Sequence, residues 1–336
     1  MRIRIRPRLP VLALLLLAPT IPELLTGSTP ISELVFAPVT FAIGFAGIVG
    51  LYGTGALLIR EFAVHFRKGW ATILLLGAAY GIAEEGLAVH TFFEPAGLSP
   101  VGALGAYGHA FGVNWLWALG LTAFHAVYSI ALPILLVQLW FPEVKEVRWL
   151  DRGSIALAAT IYLFVVTIFA LTVGHGPTPA ILGLFLGIEA ALIFAAYRAP
   201  RYLLRVRPGP SRIGTWGLAF AGTLFFDGWT LVLLLAGSGG RVPAGVAAGL
   251  LVAISAIAIV LVLRRVGSTN LARSEFSFAV GMMGVLFVWD VLVEFSVPGI
   301  LLVAAAFAYL LYRLDRTLRA REGAAGPSGA RGGPPS

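Results

Sequence analysis

The chain is 336 residues long, 59% apolar and 12% charged, with no cysteine and a formal net charge of +8; its mean hydropathy is +0.91. So few charges cannot cover a water-facing surface at this size, which excludes a soluble enzyme, a nucleic-acid binder and a disordered chain as readings of the whole. Without a thiol there is no disulfide, thiolate metal site, iron–sulfur cluster or cysteine nucleophile.

A membrane helix needs about 20 mostly apolar residues. In chain order, ten stretches qualify: 9–27, 34–60, 70–93, 114–141, 154–173, 179–198, 214–236, 244–264, 276–295 and 297–315. Pro142, Gly153, Pro177, Pro208, Pro210, Gly267 and Pro298 punctuate them. With the N-terminus inside, every Lys and Arg except Arg241 falls on the cytoplasmic side, from Arg2, Arg4, Arg6 and Arg8 to Arg313, Arg316, Arg319, Arg321 and Arg331. One missed span would invert every later loop, so the distribution supports both the count and the orientation. The expected fold is an all-α polytopic membrane bundle of about ten helices with both termini cytoplasmic, in the plasma membrane of a prokaryote. Residues 1–319 form a single transmembrane domain, and the Gly-, Ala- and Pro-rich segment 320–336 reads as a disordered tail. The positive charge then points to anionic lipid headgroups as partners, not to nucleic acid. A rival reading takes Arg2 to Leu17 as the start of a signal peptide, which would leave nine spans. The loop 94–113, with Gly97, Gly102, Gly105, Gly108, His109 and Gly112, reads as irregular or re-entrant.

Ionisable side chains inside spans are costly and are functional candidates by default. They are Glu84 and Glu85 in the third span, His125 in the fourth, Glu189 in the sixth, Asp227 in the seventh, and Asp290 and Glu294 in the ninth. At about 1.5 Å per residue all lie in one layer, from mid-membrane toward the outer half. The expectation is one polar cavity between the third, fourth, seventh and ninth helices, with separate interhelical hydrogen bonds as the alternative. On an α-helix Asn114, Leu121, His125 and Ser129 share a side, with Tyr128 adjacent, and these polar positions join the candidate binding set. Asp290 and Glu294 share a face, as do Thr223, Asp227 and Thr230. Glu84 and Glu85 are 100° apart, so one points inward and the other sideways. Gly77 and Gly81 would let another helix approach closely. Arg60 and Glu61, at the cytoplasmic end of the second span, read as a snorkelling or paired couple.

A carboxylate pair on one helix and an imidazole on the next can hydrolyse a peptide bond within the bilayer without metal. A buried carboxylate takes a proton from water, and the imidazole orients that water or stabilises the oxyanion. Glu84-Glu85 and, forty residues on, Leu121-x-x-x-His125 resemble the first two motifs of the CPBP family. These are glutamate-dependent intramembrane proteases of the CAAX-processing and bacteriocin-processing type, also called Abi proteins. The resemblance implies Glu84 as general base, Glu85 as its partner and His125 as the group that assists the transition state. It covers about residues 70–200. Val89 stands where the family has arginine, Leu121 where it has phenylalanine, and the third motif, His-x-x-x-Asn, is missing.

No His-Glu-x-x-His zinc site or Gly-x-Ser-Gly serine site occurs in a span, and neither a cofactor nor a metal is called for by motif. His90, His109 and His175 read as interfacial residues, with a metal shared with the carboxylates as the alternative. Trp115, Trp117 and Trp140 read as aromatic-belt anchors. Asp227 and Asp290 sit on parallel spans but lack the flanks of an aspartyl dyad. The main rival function is a proton- or cation-coupled transporter, which also requires mid-depth carboxylates; a short likeness between 224–227 and 287–290 hints at duplicated hairpins. A third reading is a non-catalytic membrane scaffold or assembly factor.

Overall fold

The computed structural model describes residues 8–93, 107–173, 176–224 and 242–325. Arg2, Arg4, Arg6, His175, Asp227, Thr230, Arg241 and Arg331 lie outside the described residues. So do most of the 94–113 loop, the latter part of the 214–236 stretch and the tail from 326.

The regular structure is α-helical apart from a hairpin of β1 (His109–Ala110) and β2 (Val113–Asn114), paired antiparallel. In chain order the principal helices are α1 (Arg8–Pro19, continued by a π turn, Thr20–Leu24), α2 (Pro38–His65), α3 (Trp70–Ala88), α4 (Trp115–Trp140), α5 (Arg152–Thr172) and α6 (Pro179–Arg198). They continue with α7 (215–224), α8 (Ala244–Arg265), α9 (Leu271–Val293) and α10 (Ile300–Ala325). Among the described residues seven of them, α2 to α6, α8 and α9, are long and apolar enough to cross a membrane. The chain is thus an all-α, multi-pass membrane protein. In a bilayer only helices and closed barrels can satisfy their own backbone.

Packing is strongly graded. In α3, 78% of the most apolar window is buried inside the protein, against 6% in α5 and 11% in α6 and α8. The apolar side chains of the outer helices therefore face lipid, and α3 is the central element. Glycine brings α3 and α4 together: a Cβ at Gly77 would meet Ala126 Cα at 2.9 Å, and one at Gly81 would meet His125 Cβ at 3.0 Å. Gly53 of α2 does the same against Leu15 of α1, whose carbonyl oxygen would lie 2.8 Å from an added Cβ.

Four π turns interrupt the inner helices: Thr20–Leu24, Val49–Gly53, Ala83–Ala88 and His125–Ala131. Proline accounts for two of them. Pro22 lies within the first, and Pro133 follows the fourth; each lacks the N–H that an α ladder needs.

The C-terminal end of α2 is clamped. Arg60 is fully buried and ion-paired with Glu61. It donates to the carbonyls of Val144 and Lys145, both at 3.0 Å, and Val147 at 2.6 Å, while stacking over Trp149 at 3.7 Å. Glu61 accepts from Trp149 N at 3.0 Å. The couple is thus paired and sequestered, not snorkelling. α10 extends to Ala325, past residue 320, where the sequence suggests the tail begins. Arg321 donates to the Leu139 and Trp140 carbonyls, and Asp315 pairs with both Arg273 and Arg319, which anchors the extra turns.

Candidate functional site

The π turns of α3 and α4 face each other and carry the candidate residues. His125 is 2% exposed, Glu84 3% and Glu85 8%. His125 Nε2 pairs with Glu85 Oε1 at 2.8 Å, and Nδ1 lies 3.1 Å from Glu84 Oε2. Nδ1 also hydrogen-bonds Ser129 Oγ at 2.8 Å. The second oxygen of Glu85 accepts from Thr91 Oγ1. Glu85 thus hydrogen-bonds Nε2, while Glu84 Oε2 lies beside Nδ1 at ion-pairing distance without a hydrogen bond of its own. This corrects the expectation that one glutamate turns sideways. The i→i+5 ladder of Ala83–Ala88 winds somewhat less per residue than an α-helix, and the two carboxylates reach the one imidazole from either side of its ring.

Two further elements close the site. Tyr52, on the π turn of α2, has its ring 6.0 Å from that of His125 and donates from its hydroxyl to Glu23 Oε1 at 2.6 Å. Thr29 donates to the other oxygen of Glu23 at 2.8 Å. Glu23 lies on the π turn that ends α1, within electrostatic reach of His125 and Glu85. Tyr80, one turn before Glu84 on α3, has its ring 6.2 Å from His125. Every π turn among the described residues therefore supplies a side chain to this one locality. Inserted π turns recur at functional sites because they redirect side chains that an α-helix would aim elsewhere.

The sequence reading missed Glu23, Tyr52, Tyr80 and Thr91. For Glu23 a signal was present, since it is the one ionisable residue of the 9–27 stretch. The others are hydroxyls, which carry no comparable signal within an apolar span.

The remaining candidates disperse. Asn114 caps α4, its side chain accepting from Trp117 N at 3.0 Å. Glu294 follows α9 and accepts from the backbone N–H groups of Gly299 and Leu301, both at 3.0 Å, tying down the start of α10. These two amides hold its carboxyl below the usual carboxylate range. Asp290 is fully buried, and among the described residues neither of its carboxylate oxygens has a hydrogen-bond partner. Glu189 lines a cleft of about 140 Å³ with Tyr80, Tyr162, Gly55 and Ile193, and His125 is not among the residues that line it. His90 is buried against Phe93, while His109 is exposed on the hairpin. Among the described residues the cluster is built by α3 and α4, the third and fourth helices as expected, with contributions from α1 and α2; Asp290 of α9 is not part of it, and Asp227 of the seventh stretch lies outside the described residues.

Glu84, Glu85 and His125 each offer a ligand atom, and these atoms lie within 4.8 Å of one another. Chemically the arrangement can exchange protons with a trapped water, orient it, or hold a cation. The sequence matches an uncharacterized membrane protein family over residues 12–318. The chain belongs to that family. No curated protein and no solved structure matches it.

Proposed function

We propose that the Glu84–Glu85–His125 cluster activates water for hydrolysis inside the bilayer, and that the protein is a glutamate-type intramembrane peptidase acting on a membrane protein or peptide. The observation that carries this reading is the convergence of two adjacent, buried carboxylates on the two nitrogens of a single imidazole. Glu85 is fixed by Thr91 and by His125 Nε2. Glu84 retains an oxygen that makes no hydrogen bond, and so is the one available to take a proton from water. His125, oriented by Ser129, then faces the developing oxyanion. The likeness to the CPBP pattern belongs to this proposal, as do the ten-span count, the cytoplasmic placement of both termini and the prokaryotic plasma membrane. The last three rest on the Lys and Arg distribution.

The test is N-terminal profiling of membrane fractions from cells expressing the wild type or Glu84→Gln, Glu85→Gln or His125→Asn. Loss of a general base or its helper lowers rates by about 10²–10⁴-fold, so fragments present with the wild type should vanish with each variant. Fragments that persist in all three refute the proposal.

Asp290 favours a second reading, a proton- or cation-coupled transporter, because a fully buried carboxylate with no hydrogen bond is a site for a carried proton. Proteoliposome flux that survives Asp290→Asn removes that reading.

A further inference from the structure

We infer that the Glu84–Glu85–His125 cluster is a binding site for one divalent transition-metal cation of the zinc class. The inference stands on the donor geometry and does not depend on whether the site hydrolyses anything.

Three observations carry it. First, each of the three residues offers one ligand atom, all mutually within 4.8 Å. Donors each about 2.0–2.2 Å from a tetrahedral zinc have separations between the 2.8 Å of the His125 Nε2–Glu85 Oε1 pair and the 4.8 Å that bounds the set, so binding parts that hydrogen-bonded pair and draws Glu84 inward. Second, the positions that hold ligands in place are already filled. Ser129 fixes His125 Nδ1, leaving Nε2 as the ligating nitrogen, and Thr91 holds the second oxygen of Glu85. Such partners orient metal-bound imidazole and carboxylate groups.

Third, two buried polar atoms beside the cluster lack hydrogen bonds. Glu84 Oε2 makes none; its neighbour at 3.1 Å, His125 Nδ1, is already hydrogen-bonded to Ser129. The Tyr80 hydroxyl, in a residue 4% exposed whose ring lies 6.2 Å from that of His125, makes none either. A buried oxygen with free lone pairs calls for a partner, and a cation can be that partner. Charge points the same way. Among the described residues no Lys or Arg pairs with Glu23, Glu84 or Glu85, so a single imidazole faces three carboxylates.

The donor set selects the ion. Two carboxylate oxygens and one imidazole nitrogen, in a chain without thiols, suit a borderline cation and not a soft one. Three protein ligands leave a fourth position open to a small molecule such as water. Ligation needs a neutral imidazole and ionised carboxylates, so affinity should fall as the medium is acidified.

The experiment uses the full chain, purified in detergent without a polyhistidine tag, stripped with chelator and titrated with zinc chloride by calorimetry, with elemental analysis of the dialysed product. The expected result is one zinc per chain in the wild type. Glu84→Gln and His125→Asn should bind at least about 100-fold more weakly, while Ser129→Ala and Thr91→Val, which keep all three ligands, should weaken binding about 10–100-fold. His65→Asn and His109→Asn should match the wild type. Each variant is first checked for a monodisperse elution profile. If a ligand variant fails to fold, the Ser129 and Thr91 variants decide the matter. Substoichiometric zinc in the wild type, or equal binding by His125→Asn or by both Ser129→Ala and Thr91→Val, overturns the inference. A chain that cleaves but takes up no zinc overturns this inference and leaves the hydrolytic reading intact, whereas one that binds zinc and cleaves nothing does the reverse.

Discussion

Gly81 is the position where packing and site geometry are most directly coupled. A Cβ there would lie 3.0 Å from His125 Cβ, 3.1 Å from Thr122 Cα and 3.3 Å from Thr122 O. None of these atoms is the end of a flexible side chain, so Gly81→Ala must move α3 and α4 apart. Restoring ordinary carbon contacts of about 3.5–4.0 Å requires a shift of roughly 0.5–1 Å. Overpacking of this kind costs about 1–3 kcal/mol, offset by the ~1 kcal/mol that alanine gains over glycine within a helix. The net expectation is a loss of about 0–2 kcal/mol in stability. The effect on the site should be larger. The same shift stretches the 2.8 Å contact between His125 Nε2 and Glu85 Oε1 toward the limit of a hydrogen bond. A misplacement of about 1 Å lowers rates by up to ~10²-fold. The assay is ¹⁵N NMR of the His125 ring in nanodiscs, with thermal unfolding in parallel. Gly44→Ala serves as control, since an added Cβ there meets nothing within 4 Å. A Gly81→Ala variant with unchanged His125 ring shifts and a melting temperature raised as much as that of Gly44→Ala would refute the reasoning.

Gly281→Ala should destabilise far more than Gly81→Ala, because its Cβ would fall 1.7 Å from the Ala219 carbonyl where α7 crosses α9; a detergent melting curve within a degree of the wild type would contradict this. Arg60→Ala leaves Glu61 buried without its cation and frees three carbonyls, a loss of about 3–5 kcal/mol. Trp149 lies 3.7 Å beneath the guanidinium and reports it by fluorescence, so an unaltered emission spectrum would count against the clamp. Because the chain has no cysteine, single cysteines can map its orientation. Cysteine at Ser28 should react with an impermeant maleimide in intact cells, and cysteine at Ser211 only after lysis; the opposite pattern inverts the proposed topology.

The sequence alone determined the solvent in which this protein folds. Hydropathy is a property of a segment, so the helices α4, α5, α6 and α8 begin and end close to where the composition places them. The rarity of charge in these segments also singled out Glu84, Glu85 and His125, since each ionisable group in a span needs a reason to be there. Which of those groups meet was a tertiary matter. Pairing depends on the register between helices, and register is set by close contacts such as Gly77 against Ala126, together with four π turns that shift side-chain direction away from the 100° rule. That is why Glu85 joins Glu84 on a single imidazole and why Glu23 arrives from a distant helix. Glu294 and Asn114, in contrast, hold helix ends: a carboxylate or amide beside free backbone N–H groups finds its partners locally. A one-dimensional pattern carries the free energy of transfer from water to lipid; only the packed bundle decides which polar atoms face one another once they are there.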